Sequence, residues 1–148
     1  MDQNRLPDED IRVGSFEKIP FDDNSFDVVL SKYAIQTAPD MNPVFSEIAR
    51  VLKPGGTMMY LVTHPFRQYI EKRDSKADYF EQKIVDSHIL NNTIIVKEPS
   101  HIMNEYLSDF LFKNFDVQMF SEYWDAAAEQ IDGKRYPGYF ILKAIKRG

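Results

Sequence analysis

Short polar and aromatic segments follow three predicted β-strands of this sequence. They consist of Ser15 with Phe16, of Ser31 with Lys32 and Tyr33, and of Thr63 with His64. In open sheets of α/β proteins, ligands bind outside the carboxyl ends of parallel strands, so these segments are expected to meet at one edge. Hydroxyl and imidazole groups form hydrogen bonds there, and aromatic rings offer flat stacking surfaces. The spacing therefore predicts that a ligand binds at this edge.

Other polar clusters fit no catalytic pattern. The spacing of the three histidines matches no standard zinc site, and a chain without cysteine has no thiolate ligand and no thiol nucleophile. His88 lies in the predicted hairpin and His101 at a predicted helix start, and we interpret each as an exposed or capping residue. The acidic pair Asp22 and Asp23 lies in a predicted turn, which favours a solvated loop over acid–base catalysis. Residues 53–56 lack the Lys-Ser/Thr ending of a phosphate loop, and no metal site is predicted.

A strand–helix–strand unit is predicted to position the first part of the edge. Residues 26–30 form an apolar run typical of a parallel strand that is covered on both faces. Asn42 is predicted to cap a helix that starts at Pro43. Proline is tolerated at this position because the first backbone N–H groups of a helix have no hydrogen-bond partner within the helix. The apolar stripe of this helix comprises Val44, Phe45, Ile48, Val51 and Leu52. The glycine turn at residues 54–56 ends the helix and strand 57–62 follows, which predicts a right-handed βαβ unit.

The remaining pattern predicts further strands and helices around this unit. They are a short strand at residues 11–14, a helix at 66–70, a hairpin of strands 84–90 and 93–96, a helix at 102–114, and closing strands at 115–120 and 139–144. Asn91 and Asn92 tolerate the left-handed backbone of a tight hairpin turn. Ser100 is predicted to cap the helix at 102–114.

Composition limits the partners of the chain. With 148 residues and 43% apolar side chains, it can form one globular domain with a core. The net charge of −5 offers no basic surface for nucleic acid or for an anionic membrane. No apolar run approaches the roughly 20 residues of a membrane span. Because residues 1–10 are polar rather than signal-like, we predict a cytoplasmic protein without nucleic-acid or membrane partners.

Three motifs occur in an order that resembles the class I S-adenosylmethionine-dependent methyltransferases. They are Gly-Ser-Phe-Glu-Lys-Ile-Pro-Phe at residues 14–21, Ser-Phe-Asp-Val-Val-Leu-Ser at 25–31, and Glu-Ile-Ala-Arg-Val-Leu-Lys-Pro-Gly-Gly at 47–56. The branch that looks most similar is typified by the quinone-biosynthesis C-methyltransferases. The resemblance implies a Rossmann-like α/β fold, with a mixed sheet, helices on both faces and an antiparallel hairpin at the C-terminal edge.

The glycine-rich loop that cradles the cofactor in this family has no counterpart in the sequence. We therefore expect residues 1–148 to form a single, N-terminally incomplete methyltransferase domain. The first strands of the family's sheet would be missing, so the strand at residues 26–30 would lie at an open edge. An open edge of this kind pairs with other chains. We expect a homo-oligomer, or a partner segment that completes the domain at its N-terminus.

The resemblance also implies roles for individual residues, with S-adenosylmethionine as the cofactor. Ser15 and Phe16 correspond to positions that contact the adenine, although the family usually has an acidic residue in place of Ser15. A hydroxyl accepts a hydrogen bond but lacks the charge that strengthens one. Ser31 and Lys32 correspond to positions that line the methionine end. An ordinary turn would also account for Ser15, and simple packing would account for Phe16.

Three further positions are expected to face the substrate. Tyr33 and His64 follow predicted strands, and Gln36 stands close to a position where the family often has a histidine. Tyr33 could equally be a packing aromatic at the rim of the core. Residues 66–99, rich in aromatic side chains, are expected either to cover the substrate or to form a packing or dimerisation surface.

Our first interpretation is the C-terminal portion of a methyltransferase that transfers a methyl group to an unknown acceptor. A small-molecule substrate is expected, although the sequence also leaves quinone, lipid and protein acceptors open. The isolated chain is expected to be weak or inactive. The alternative is a non-catalytic interaction module derived from such an enzyme, or a subunit that another chain completes. Methyl transfer from a sulfonium requires mainly alignment and exclusion of water, so the sequence identifies no catalytic residue.

Overall fold

A computed structural model describes residues 11–72, 76–89, 93–126 and 130–148 of the chain. Within these ranges the strands are β1 (Phe26–Lys32), β2 (Leu52–Thr63), β3 (Ile84–Ile89), β4 (Ile94–Pro99), β5 (Phe115–Trp124) and β6 (Pro137–Lys146). The α-helices are α1 (Met41–Val51), α2 (Pro65–Glu71), α3 (Met103–Tyr106) and α4 (Asp109–Asn114), and a short 3-10 helix spans Ile35–Thr37.

The described strands form one mixed sheet and one separate hairpin. The sheet has the order β1-β2-β6-β5, with β1 parallel to β2 and with β6 antiparallel to both of its neighbours. β3 and β4 form the antiparallel hairpin. The predicted mixed sheet, its closing antiparallel pair and the hairpin are thereby confirmed. The predicted hairpin turn at Asn91 and Asn92 lies outside the described residues.

Helix α1 connects the two parallel strands and packs on the sheet through its apolar stripe. All of the predicted stripe residues are buried, namely Val44, Phe45, Ile48, Val51 and Leu52. The predicted start was wrong, because Asp40 caps the helix and its Oδ1 accepts a hydrogen bond of 2.9 Å from the Asn42 N–H. The predicted start of the next strand was also wrong. β2 begins directly at Leu52, which pairs with Phe26, and it runs through the glycine turn.

The single helix predicted at residues 102–114 is two helices. Ser108 interrupts it, because its Oγ accepts a hydrogen bond of 3.3 Å from the Leu111 N–H and so caps α4. Ser100 was wrongly predicted as the cap of the first helix. Its Oγ instead accepts a hydrogen bond of 3.0 Å from the Lys83 N–H, which ties the segment before β3 to the segment after β4.

The strand predicted at residues 11–14 is an irregular segment. Strands need a partner for their backbone groups, and these residues join no ladder in the described part of the chain. Val13 is fully exposed, and the segment leads into a tight turn in which Ser15 bridges to Lys18. The turn brings Ser15 and Phe16 near the end of β1.

β1 is the edge strand of the sheet in the described residues, as the resemblance implied. Its side chains are less covered than the apolar run predicted, because Val28 is 51% exposed and Leu30 is 71% exposed. The expectation of a strand covered on both faces was therefore wrong for this chain. No helix in the described ranges has the length and apolar character needed to cross a membrane.

Candidate functional site

All of the predicted cofactor residues line one cleft at the end of β1. Ser15 and Phe16 come from the tight turn, whereas Ser31 and Lys32 come from the last residues of the strand. The cleft is open and has a volume of about 360 Å³. Its apolar wall includes Ile19, Val29, Leu30, Ile35, Val44 and Ile48. Segments that lie about 15 residues apart in the sequence thus form a single concave surface.

An ion pair on α1 fixes the segment that carries Ser15 and Phe16. The Arg50 guanidinium donates hydrogen bonds of 2.8 Å to the carbonyl oxygens of Ile19 and Phe21. The Glu47 Oε2 atom accepts one of 2.8 Å from the Ile19 N–H. The hydrogen bond from Arg50 holds the pKa of Glu47 below its usual value. A Glu–Arg pair at helical spacing is visible in the sequence, but the spacing alone does not indicate its contacts with residues 19 and 21.

The backbone turns sharply where β1 ends. Tyr33 has a φ of 50°, in the left-handed region that non-glycine residues seldom adopt, and its N–H donates a hydrogen bond of 2.8 Å to the Leu61 carbonyl. The Ser31 Oγ accepts a longer one of 3.4 Å from the Ile35 N–H. Strain of this kind persists only where the surroundings hold it, and it occurs often at functional sites.

The Tyr33 side chain lies on an aromatic ridge rather than in the cleft wall. Its ring meets the ring of Tyr139 edge-on at 6.3 Å, and Tyr139 stacks on Tyr123 at 5.3 Å. Burial, together with the nearby Asp125 carboxylate, raises the pKa of Tyr33 to about 12. The Tyr33 hydroxyl therefore stays protonated at neutral pH and can donate a hydrogen bond.

Gln36 is placed inside the protein and not on the rim of the cleft. It is 2% exposed, and its Oε1 accepts a hydrogen bond of 2.8 Å from the Thr63 N–H at the end of β2. Its Nε2 donates to the Thr63 Oγ1 at 2.8 Å and to the Glu98 Oε2 at 2.7 Å. In this arrangement Gln36 joins the ends of both parallel strands, and direct contact with a substrate has no geometric support.

His64 caps α2 and has both ring nitrogens engaged. The Phe66 N–H donates a hydrogen bond of 3.0 Å to Nδ1, so the proton of the neutral ring resides on Nε2. Nε2 then donates to the Glu122 Oε1 at 2.8 Å. Burial lowers the pKa of His64, against the opposing effect of Glu122. The ring is therefore neutral at pH 7, and neither nitrogen is open to act as a base.

This lowered pKa predicts a pH-dependent stability. Below the ordinary histidine pKa of about 6.5, the unfolded state binds a proton that folded His64 resists, so the free energy of unfolding falls as pH falls. The contribution of His64 is complete above about pH 6.5 and is lost toward its lower folded pKa. His64→Asn keeps an acceptor for the Phe66 N–H but does not titrate. We expect urea unfolding to show a smaller loss between about pH 7.5 and pH 5.5 in this variant than in the parent chain.

Equal pH dependence of the two chains would contradict the assignment. Titration of the other histidines contributes equally to the pH dependence of both chains, because the variant leaves them intact.

His101 is buried, and its Nε2 donates a hydrogen bond of 2.9 Å to the Gln36 carbonyl, so the interpretation of His101 as an exposed or capping residue was wrong. The side chain of His88 lies outside the described residues. Among the described side chains, no cluster of acidic residues and histidines could hold a metal ion.

A parallel βαβ unit with a cleft at the strand ends and an antiparallel closing pair agrees with the Rossmann-like methyltransferase fold that the resemblance implied. A family model described as a methyltransferase domain matches residues 1–60. Residues 1–60 are thus similar to that family, and the described fold is the class I methyltransferase fold. The quinone-biosynthesis branch stays a prediction.

Individual relatives agree with this class. The chain is 43% identical over 63 residues to the phthiotriol/phenolphthiotriol dimycocerosates methyltransferase of Mycobacterium tuberculosis. The match covers 43% of this chain and 23% of that protein. It is 39% identical over 85 residues to phosphoethanolamine N-methyltransferase 2 of Caenorhabditis elegans, covering 57% of this chain and 18% of the relative. A solved Listeria monocytogenes structure assigned to the S-adenosylmethionine-dependent methyltransferases superposes with a TM-score of 0.70 and 21% identity, covering 91% of this chain and 68% of that one. The chain spans about a quarter of the length of the first curated relatives it matches.

Proposed function

We propose that the chain is part of an S-adenosylmethionine-dependent methyltransferase and that the cleft at the end of β1 holds the cofactor. The observation that supports this most strongly is the convergence of Ser15 and Phe16 with Ser31 and Lys32 on one concave surface. These residues were selected from the sequence on two separate motifs. We favour the enzyme over a non-catalytic module because the relatives cited above are all named as methyltransferases.

The residues of the cleft suit the two ends of the cofactor. Phe16 is exposed on the cleft wall and offers a flat surface for an adenine ring, with the Ser15 hydroxyl beside it. The Lys32 ammonium can pair with the carboxylate of the methionine end, next to Ser31. When bound, the cofactor supplies a methyl group that is already activated on a sulfonium. The protein then has to orient the acceptor and exclude water.

The acceptor is proposed to lie beside the cleft, at the carboxyl ends of β1 and β2. The relatives named above carry the names of different small molecules, so we propose a small-molecule acceptor without defining it further. Tyr33 presents a protonated hydroxyl and a ring on this edge. Because both nitrogens of His64 are engaged, we propose that it supports the edge rather than abstracting a proton. Residues 66–99 are proposed to cover this side.

A titration with S-adenosylhomocysteine followed by amide NMR tests this proposal, because NMR detects weak binding. We expect the largest shift changes at residues 15–16 and 31–32. Phe16→Ala removes the stacking surface and Ser31→Ala the hydroxyl at the strand end. Each should weaken binding roughly three- to tenfold, the range expected for one aromatic contact or one hydrogen bond.

Matched substitutions outside the cleft serve as controls for this titration. Phe80→Ala removes an exposed ring, and Ser46→Ala removes an exposed hydroxyl on α1. Both controls should bind like the parent chain. Shift changes that avoid the cleft, or unchanged affinity in folded Phe16→Ala and Ser31→Ala chains, would contradict the proposed site.

A further inference from the structure

Glu98 is a buried carboxylate that accepts hydrogen bonds from three neutral side chains. It lies on β4 and is 1% exposed. Its Oε2 accepts a hydrogen bond of 2.7 Å from the Gln36 Nε2. Its Oε1 accepts bonds of 3.0 Å from the Gln68 Nε2 and 2.6 Å from the Ser87 Oγ. Burial of a carboxylate is unfavourable unless such donors compensate for the lost water, so the position constrains each donor strongly.

The donors come from different parts of the fold. Gln36 lies in the 3-10 helix that follows β1, Gln68 lies on α2, and Ser87 lies on β3. Through Glu98 the hairpin is therefore attached to the segments that follow both parallel strands. These hydrogen bonds connect the hairpin, which belongs to the proposed cover of the acceptor, to the segment after β1, which lies next to the cofactor cleft.

Gln36 and Gln68 extend this attachment by further hydrogen bonds. Gln36 binds the Thr63 backbone and hydroxyl at the end of β2. Gln68 Oε1 accepts a hydrogen bond of 2.8 Å from the His101 N–H, and the His101 Nε2 donates to the Gln36 carbonyl at 2.9 Å. The Gln36 side chain and its backbone carbonyl are thus both held by hydrogen bonds at the end of the segment that runs from Ser31.

We propose that Glu98 is a positioning residue that sets the conformation of residues 31–36 and so couples the hairpin to the cofactor cleft. This inference rests on the proposed function only in one respect, namely that a change in residues 31–36 would alter the binding of the cofactor. The coupling itself can be observed without any cofactor. Glu98 acts through Gln36 and does not line the cleft.

A reciprocal exchange of the two side chains tests the coupling. In Glu98→Gln, one carboxylate oxygen is replaced by an NH2 group, which cannot accept a hydrogen bond. In one orientation of the new amide this group faces the Nε2 donor of Gln36, and in the other orientation it faces the Nε2 donor of Gln68. In Gln36→Glu, two carboxylates would face each other at the 2.7 Å contact. In the double variant Gln36→Glu with Glu98→Gln, the amide introduced at position 98 can donate to the carboxylate introduced at position 36. The bonds to Thr63, Gln68 and Ser87 can all be retained in that double variant.

We expect each single variant to shift the NMR positions of the amides of residues 31–36. We also expect the hairpin amides to exchange with solvent roughly ten- to a hundredfold faster, the range expected for one buried polar group left unpaired. The double variant should restore both readouts. Glu81→Gln removes a charge from an exposed ion pair with Lys83 and should change neither. If a single variant does not fold, Ser87→Ala removes one donor to Glu98, together with a 3.3 Å hydrogen bond to the Glu71 Oε2, and should cause a smaller shift in the same amides.

Two results would overturn the proposal. The first is accelerated exchange in the hairpin while the amides of residues 31–36 stay in place, which would give Glu98 a purely structural role. The second is a double variant that behaves no better than the single variants. Failure of the proposed function would be distinct, because it would appear as absent S-adenosylhomocysteine binding in the parent chain whatever the exchange experiments show.

Discussion

The purified chain is expected to bind S-adenosylmethionine roughly a hundredfold or more weakly than methyltransferases that carry a glycine-rich cofactor loop, and to transfer no methyl group. In the doubly wound folds, a glycine-rich turn brings backbone N–H groups close to the cofactor, and an acidic residue further along binds the ribose hydroxyls. None of the six glycines in this chain has the G-x-G spacing of that turn. Loss of several hydrogen bonds at about 1 kcal/mol each is sufficient for a reduction of this size.

Isothermal titration calorimetry of the purified chain measures this affinity directly. A low-micromolar dissociation constant would contradict the prediction and would mean that the cleft at the end of β1 suffices alone. The DNA upstream of Met1 offers an informative comparison. If it encodes a strand and a glycine-rich loop in frame, the extended chain should bind tightly, and Phe16→Ala should weaken that binding in the same sense as in the short chain.

The sequence predicted those parts of the fold that depend on local pattern. The apolar stripe of α1 and the uninterrupted run of β1 are short-range signals, and both elements form, although α1 begins two residues before the predicted start. Residues 11–14 were predicted wrongly because a strand needs a partner that the local pattern does not reveal. The helix at residues 102–114 was predicted as continuous because its apolar spacing continues through Ser108, whose side chain caps a new helix.

Some features of the candidate site could likewise be predicted from the sequence, whereas others depend on the tertiary structure. Ser31 and Lys32 could be selected because residues at the ends of parallel strands lie at the ligand-binding edge of a sheet. Ser15 and Phe16 also line the cleft, but the strand predicted before them does not form. The link between Gln36 and Glu98 spans 62 residues and depends on how the hairpin packs, so the sequence contained no periodic signal for it. Polar residues of this kind look like surface residues until the tertiary structure shows that they are buried.

The open edge of β1 is expected to make this chain associate with a second copy of itself. In the described part of the chain β1 pairs only with β2, and its other edge carries no ladder. Val28 and Leu30 project from the same face and are largely exposed. An apolar edge strand without proline presents unpaired backbone groups to other strands, and pairing would bury both these groups and the apolar side chains.

Light scattering at micromolar concentration should therefore detect a dimer or a larger assembly. Val28→Lys places a charge on the edge strand outside the cleft wall, so it should raise the dissociation constant of the assembly roughly tenfold or more, since burying one valine contributes about 1.5 kcal/mol or more. Ile84→Lys introduces the same charge at an exposed position of the hairpin and should leave the assembly unchanged. If Ile84→Lys dissociates the assembly and Val28→Lys does not, the hairpin is the dimerisation surface instead. A folded monomer of the parent chain at these concentrations would mean that β1 is protected within one chain, and the prediction of assembly would be wrong.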